Sequence, residues 1–120
     1  MSGVGGSGSG VGGEARGSDV LVIVHGKPSS RLGERFVLDR DRVRVGRDED
    51  NDITIDCDDA SRHHASFVRS EGAWWIVDNG SSNGTYLNGT EISSKRQLTH
   101  GDRVKVGSLV FEYHAGQREA

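Results

Sequence analysis

The chain has 120 residues, 32% of them hydrophobic and 28% charged, with a net charge of −3. That length suits one domain of the usual ~100–200 residues, and the mild negative charge argues against a general electrostatic grip on nucleic acid or an anionic membrane. The single cysteine, Cys57, excludes an internal disulfide.

Residues 1–18 are mostly glycine and serine, too poor in apolar surface to offset the entropy of ordering, so they are expected to form a flexible tail. The tail holds two formal GxGxxG strings, Gly3/Gly5/Gly8 and Gly8/Gly10/Gly13. Neither follows a strand nor opens a helix, so they carry no dinucleotide-binding expectation. No run nears the ~18 apolar residues of a membrane span, and the first residues lack the basic start and apolar stretch of a signal peptide. With no need for an oxidising compartment, a cytoplasmic setting is expected.

From Asp19 the pattern changes to short β-branched runs: 20–25, 35–38, 42–45, 53–55, 65–69, 74–77, 85–87, 104–106 and 109–113. Each reads as a strand. Arg42-Val43-Arg44-Val45 and Arg103-Val104-Lys105-Val106 alternate with period two, and no window sustains helical spacing over three turns. Asn88-Gly89 suits a type I′ hairpin, Gly107-Ser108 a type II′ hairpin, and Glu71-Gly72 separates two strands of similar length. The expected fold is all-β, an antiparallel sandwich of two twisted sheets with ligand loops at one end. The domain is placed at 19–115, with a short C-terminal tail over 116–120. Trp74 and Trp75 point to opposite faces of one strand, so one belongs in the core and the other stays partly exposed.

Three polar clusters fall between the predicted strands: Gly46-Arg47, Ser61-Arg62-His63-His64-Ala65, and Gly80-Ser81-Ser82-Asn83-Gly84-Thr85. Together they have the chemistry to hold one anion. Arginine offers a planar fork for two phosphate oxygens, and hydroxyls with loop N–H groups complete the shell. The neighbouring Asp48-Glu49-Asp50, Asp56 and Asp58-Asp59 would repel a free anion at long range, so the site must act through short contacts.

In order and spacing these clusters, with Asn88-Gly89, resemble the forkhead-associated (FHA) domain. Asn51-Asp52-Ile53 and Gly101-Asp102…Val106-Gly107 extend the resemblance over Val20 to Tyr113. The family implies a two-sheet sandwich that binds phosphothreonine peptides through loops at one end. By resemblance Arg47 is the main phosphate ligand and Ser61 a second through its hydroxyl. Arg62 and Ser82 are supplementary contacts, and Asn83 binds the peptide backbone beside the phosphothreonine. His64 is the histidine that braces the loops from beneath and Asn88 the loop-fixing asparagine, with Gly46, Gly84 and Thr85 as structural positions. The implied function is a phosphothreonine-binding adaptor or regulator, not an enzyme, downstream of a serine/threonine kinase. No cofactor, metal, nucleic acid or membrane insertion is implied. Two residues depart from the family pattern: Ala60 stands where a larger aliphatic is more frequent, and Asn79 where a hydrophobic residue often precedes the Gly-Ser turn. Asp59 would disfavour acidic peptide side chains if it faces the peptide.

Three other readings compete. Ser61, His64 and Asp78 supply the residue types of a hydrolase triad, though a serine three residues from its histidine more simply braces a loop. His25, Cys57, His63, His64, His100 and His114 are potential metal ligands, but their spacings match no common zinc pattern. A phospho-independent interaction domain of the same fold is the third.

Overall fold

A computed structural model describes residues 18–117; most of the two expected tails, residues 1–17 and 118–120, lies outside the described residues. The strands are β1 (Ser18–Gly26), β2 (Arg35–Val37), β3 (Arg42–Gly46), β4 (Ile53–Thr54), β5 (Ala65–Ser70), β6 (Ala73–Asp78), β7 (Thr85–Leu87), β8 (Thr90–Glu91), β9 (Arg96–Gln97), β10 (Arg103–Val106) and β11 (Leu109–Gln117), with one 3-10 turn over Ser29–Arg31. All nine expected strands are present. The additional β8 and β9 are two residues long and exposed, and such short stretches carry no pattern of their own. β1 takes in Ser18 and β11 reaches Gln117, past the boundaries expected for the domain, because the Asp19 carboxylate accepts the Gly116 N–H at 2.7 Å.

The strands form a six-stranded sheet, β2-β1-β11-β10-β7-β8, and a five-stranded sheet, β4-β3-β5-β6-β9. One pair departs from the antiparallel expectation: β3 and β4 run parallel, with Val45 beside Ile53. Parallel neighbours normally need a crossover of a dozen or more residues. Here β4 is only two residues long; its short ladder is continued by the Ile55 N–H donating to Gly46 O at 2.8 Å and, at the other end, by the Asp52 carboxylate accepting the Arg44 N–H at 2.8 Å.

Period-two alternation builds the core between the sheets. Leu21, Ile23, Val104, Val106, Leu109 and Phe111 face inward from one sheet, and Val43, Val45, Ala65, Phe67 and Ile76 from the other, all 4% exposed or less. Phe67 and Phe111 meet edge to face across the layers, with ring centroids 6.2 Å apart, an arrangement aromatic quadrupoles favour. Trp74 is buried at 5%, while Trp75 is half-buried on the outer face, where its indole N–H donates to Ser70 O and Lys95 lies over the ring. Ala60 is buried 3.2 Å from where a Cβ on Gly107 would sit, so a small residue there makes room for the β10–β11 turn.

The expected hairpin turns are also visible. Asn88 and Gly89 both have positive φ, 51° and 88°, as a type I′ turn requires. Gly107, at 60°, opens the turn between Val106 and Leu109. The topology brings the ends of β3, β6 and β10 to the same edge as the starts of β5, β7 and β11, since Ala65 pairs with Val45 and Asp78, and Val106 with Thr85 and Leu109. All three polar clusters therefore lie at one end of the sandwich. Among the described residues no helix is long and apolar enough to cross a membrane.

Candidate functional site

β3 closes on Gly46, where a Cβ would lie 2.2 Å from the carbonyl oxygen of Arg62. Only glycine lets the two loops approach so closely. The approach is then fastened by backbone bonds from Arg47 N–H to Ser61 O (3.0 Å) and Asp48 N–H to Arg62 O (3.2 Å). Asn51, 8% exposed, donates its amide to both Asp48 O and Arg62 O at 2.8 Å. One carboxamide thus spans the loop that carries Arg47 and the loop that carries Ser61 and Arg62.

His64 is fully buried beneath the same loops. Its Nδ1 accepts the Ser61 N–H at 3.0 Å, which leaves Nε2 protonated to donate to Gly84 O at 2.9 Å. A single neutral tautomer therefore ties the second cluster to the third. Gly84 has φ of 86°, a conformation that side chains rarely adopt, so its backbone rather than its surroundings calls for glycine. The hydroxyl of Ser61 in turn accepts the Ser82 N–H at 3.0 Å.

The third cluster is organised by Asp78. Its carboxylate accepts N–H groups from Gly80 (2.9 Å) and Ser81 (3.1 Å) and hydroxyls from Ser81 (2.5 Å) and Thr85 (2.6 Å). Burial pushes the Asp78 carboxyl up, but the hydroxyls of Ser81 and Thr85 and the two N–H groups outweigh it, holding the carboxyl below the usual carboxylate range. Ser81 Oγ also accepts the Gly84 N–H at 3.0 Å, so the loop is bonded from both sides.

Arg47, Ser61, Arg62, His63, Asn79 and Ser82 line one open cleft of about 390 Å³. Among the described residues neither Arg47 nor Arg62 has a carboxylate partner, although both are exposed. Two acids of the neighbouring stretch lie against His63 at the margin of this cleft, Asp50 at 3.0 Å and Asp48 at 3.6 Å from its Nε2, and neither pairs with the two arginines. Two guanidinium groups without carboxylate partners beside the Ser61 and Ser82 hydroxyls have the chemistry to hold a compact, multiply charged anion.

The structure thus brings Arg47, Ser61, Arg62 and Ser82 into one cleft, with Gly46, His64, Gly84 and Thr85 as its support. Asn83 lies one step along. It donates its amide to Asp59 O at 2.9 Å and lines an adjoining cleft with Asp59, Gly84, Tyr86, Lys105 and Gly107. Asn88 sits at the other end of β7. Its Oδ1 accepts the Arg103 N–H (2.9 Å) and its amide donates to Asp102 (3.1 Å), so it fixes the β7–β8 turn rather than the cleft.

Both ring nitrogens of His64 are taken by backbone groups and the Asp78 oxygens by their own loop. Ser61, His64 and Asp78 therefore do not form a nucleophile–base–carboxylate relay. Of the potential metal ligands in the sequence, only His63 joins a group whose ligand atoms converge among the described residues, with Asp48 and Asp50. Sequence reasoning missed Asn51 as a bridge and Asp78 as the loop organiser. An aspartate two residues before Gly80 and three before Ser81 is an Asx-turn signal. Asn51 had no comparable local sign, because Arg62 is eleven residues away.

The FHA domain family model matches residues 43–107. The chain is 39% identical over 112 residues to an oxoglutarate dehydrogenase inhibitor of Corynebacterium jeikeium, covering 93% of this chain and 75% of that protein. It is 38% identical over 117 residues to the glycogen accumulation regulator GarA of Mycolicibacterium smegmatis, covering 98% and 72%. Among solved structures, that of Mycobacterium tuberculosis EmbR in complex with a low affinity phosphopeptide superposes with a TM-score of 0.76 at 29% identity, over 87% of this chain and 26% of EmbR. A match of this extent, on a sandwich with these loops at one end, means that the chain belongs to the FHA domain family.

Proposed function

We propose that this chain is a phosphothreonine-peptide-binding module, acting as an adaptor or regulator in serine/threonine-kinase signalling and performing no catalysis of its own. The observation that carries this reading is the shared cleft of Arg47, Ser61, Arg62 and Ser82, whose cations have no carboxylate partner among the described residues. EmbR, a structural neighbour, was solved with a phosphopeptide, and two curated relatives bear the names of an inhibitor and a regulator. In this reading Arg47 holds the phosphate, Ser61 and Ser82 complete its shell, Arg62 adds a second charge and Asn83 holds the peptide backbone. The partner is a phosphorylated protein, with no nucleic acid or membrane insertion involved, and the setting is cytoplasmic.

One peptide titrated in three forms tests the proposal. The phosphothreonine form should bind, and the unmodified form should not. Phosphoserine should bind about fourfold more weakly if the threonine methyl, worth ~0.8 kcal/mol, is buried. Affinity should weaken as pH falls through ~6, where the phosphate loses its second charge. Equal affinity for all three forms would favour a phospho-independent interaction domain instead.

A further inference from the structure

We propose that Asn79 is a peptide-reading residue: its side-chain oxygen accepts a main-chain N–H of the partner on the side of the phosphothreonine away from Asn83. The inference rests on the phosphothreonine reading above and deepens it. Asn79 lines the Arg47 cleft, at a position where a hydrophobic residue is frequent by the family resemblance. Its backbone is fixed, because its N–H donates to His64 O at 2.9 Å and so extends the β5–β6 ladder one rung past Asp78. Its side chain is tethered to β5. The amide donates to Ser66 Oγ at 3.1 Å, and Ser66 is 1% exposed.

With the amide nitrogen held against β5, Oδ1 has no hydrogen-bond partner among the described residues, although Asn79 is exposed. A phosphate dianion offers only acceptors, so it cannot bond to a carbonyl oxygen. A ligand atom that bonds to Oδ1 is therefore a donor, and the donor a peptide carries at nearly every residue is its main-chain N–H. Asn79 and Asn83 bracket the Gly80–Ser82 segment from its two ends, and Asn83 faces the adjoining cleft. A peptide with its phosphate beside Ser82 therefore passes Asn79 on one flank and Asn83 on the other.

The probe is a short phosphothreonine peptide with alanine flanks, together with analogues in which one peptide bond at a time is replaced by an ester, and free phosphothreonine as competitor. Asn79→Ala should weaken the peptide about fivefold, the worth of one net hydrogen bond, and leave the free amino acid unchanged. Ser66→Ala, which removes the tether but keeps the amide in the cleft, should lose less than Asn79→Ala and fall between it and the parent. One ester analogue should lose about fivefold against the parent protein and nothing more against Asn79→Ala.

The inference is overturned by an unchanged peptide affinity in Asn79→Ala, by an equal loss for peptide and amino acid, by a Ser66→Ala loss that matches Asn79→Ala, or by additive losses for every ester. Failure of the phosphothreonine reading is seen separately, as a parent protein that does not discriminate phosphorylated from unmodified peptide.

Discussion

The two ends of β7 are built with the same devices and put to different use. At the far end, Asn88 binds the Arg103 N–H and Asp102, Asp102 binds the Thr99 N–H at 2.9 Å, and Arg103 pairs with Glu112 at 3.0 Å. Every one of these polar groups turns inward onto the protein. At the cleft end His64, Asp78 and Asn51 brace the backbone in the same way, yet Arg47 and Arg62 have no carboxylate partner among the described residues. Bracing alone therefore does not mark a binding site. What distinguishes the cleft is that its braced backbone carries two arginines without a carboxylate partner among the described residues, so the loops are ordered beforehand and only the exposed side chains remain to be ordered on binding.

Four substitutions can break or sharpen that contrast. Arg47→Ala should reduce phosphopeptide affinity on the order of a hundredfold or more, as loss of a charged hydrogen-bonding partner does. Calorimetric titration reads that loss, and thermal unfolding should show little change because the side chain is exposed. His64→Ala should act on both properties. Removing a fully buried ring that spans two loops should cost ~3 kcal/mol of stability, measured by urea unfolding, and reduce affinity with it.

Asn88→Ala should behave in the opposite sense to Arg47→Ala. It loses two hydrogen bonds and forces alanine to φ near 51°, so stability should fall by ~1–2 kcal/mol with peptide affinity intact. Loss of binding in that variant would erase the distinction between the two ends. The smallest effect concerns Asp78. Its carboxyl is held below the ordinary value of 3.8, so the stability it contributes is present above that value and is lost as pH falls through the lower, folded-state value. The gap in urea stability between the parent and Asp78→Asn should stay constant from neutral pH to about pH 5 and close progressively below 3.8.

Much of the strand framework was legible because alternation is a local property. Arg42-Val43-Arg44-Val45 shows which residues face the core without reference to any other segment. The Asn88-Gly89 turn was legible for the same reason, since positive φ at two successive residues restricts their identity. The parallel β3–β4 pair was not, because its cause is a carboxylate at position 52 bonding a strand eight residues earlier. β8 and β9 left no trace, being two residues each and defined by what they lie beside.

The same division runs through the site. By itself the amino-acid sequence determined where nine of the strands lie along the chain, the turn chemistry, and an arginine, two serines and a histidine placed between strands, because each depends on neighbouring residues alone. The tertiary structure decided which of them meet. It set Arg47 against Ser61 through a glycine at which a Cβ would lie 2.2 Å from Arg62 O, turned Asp48 and Asp50 toward His63, moved Asn83 to the adjoining cleft and Asn88 to the far end, and brought Asn79 into the cleft. Those outcomes depend on distances between residues far apart in the chain, which only the packing of the two sheets sets.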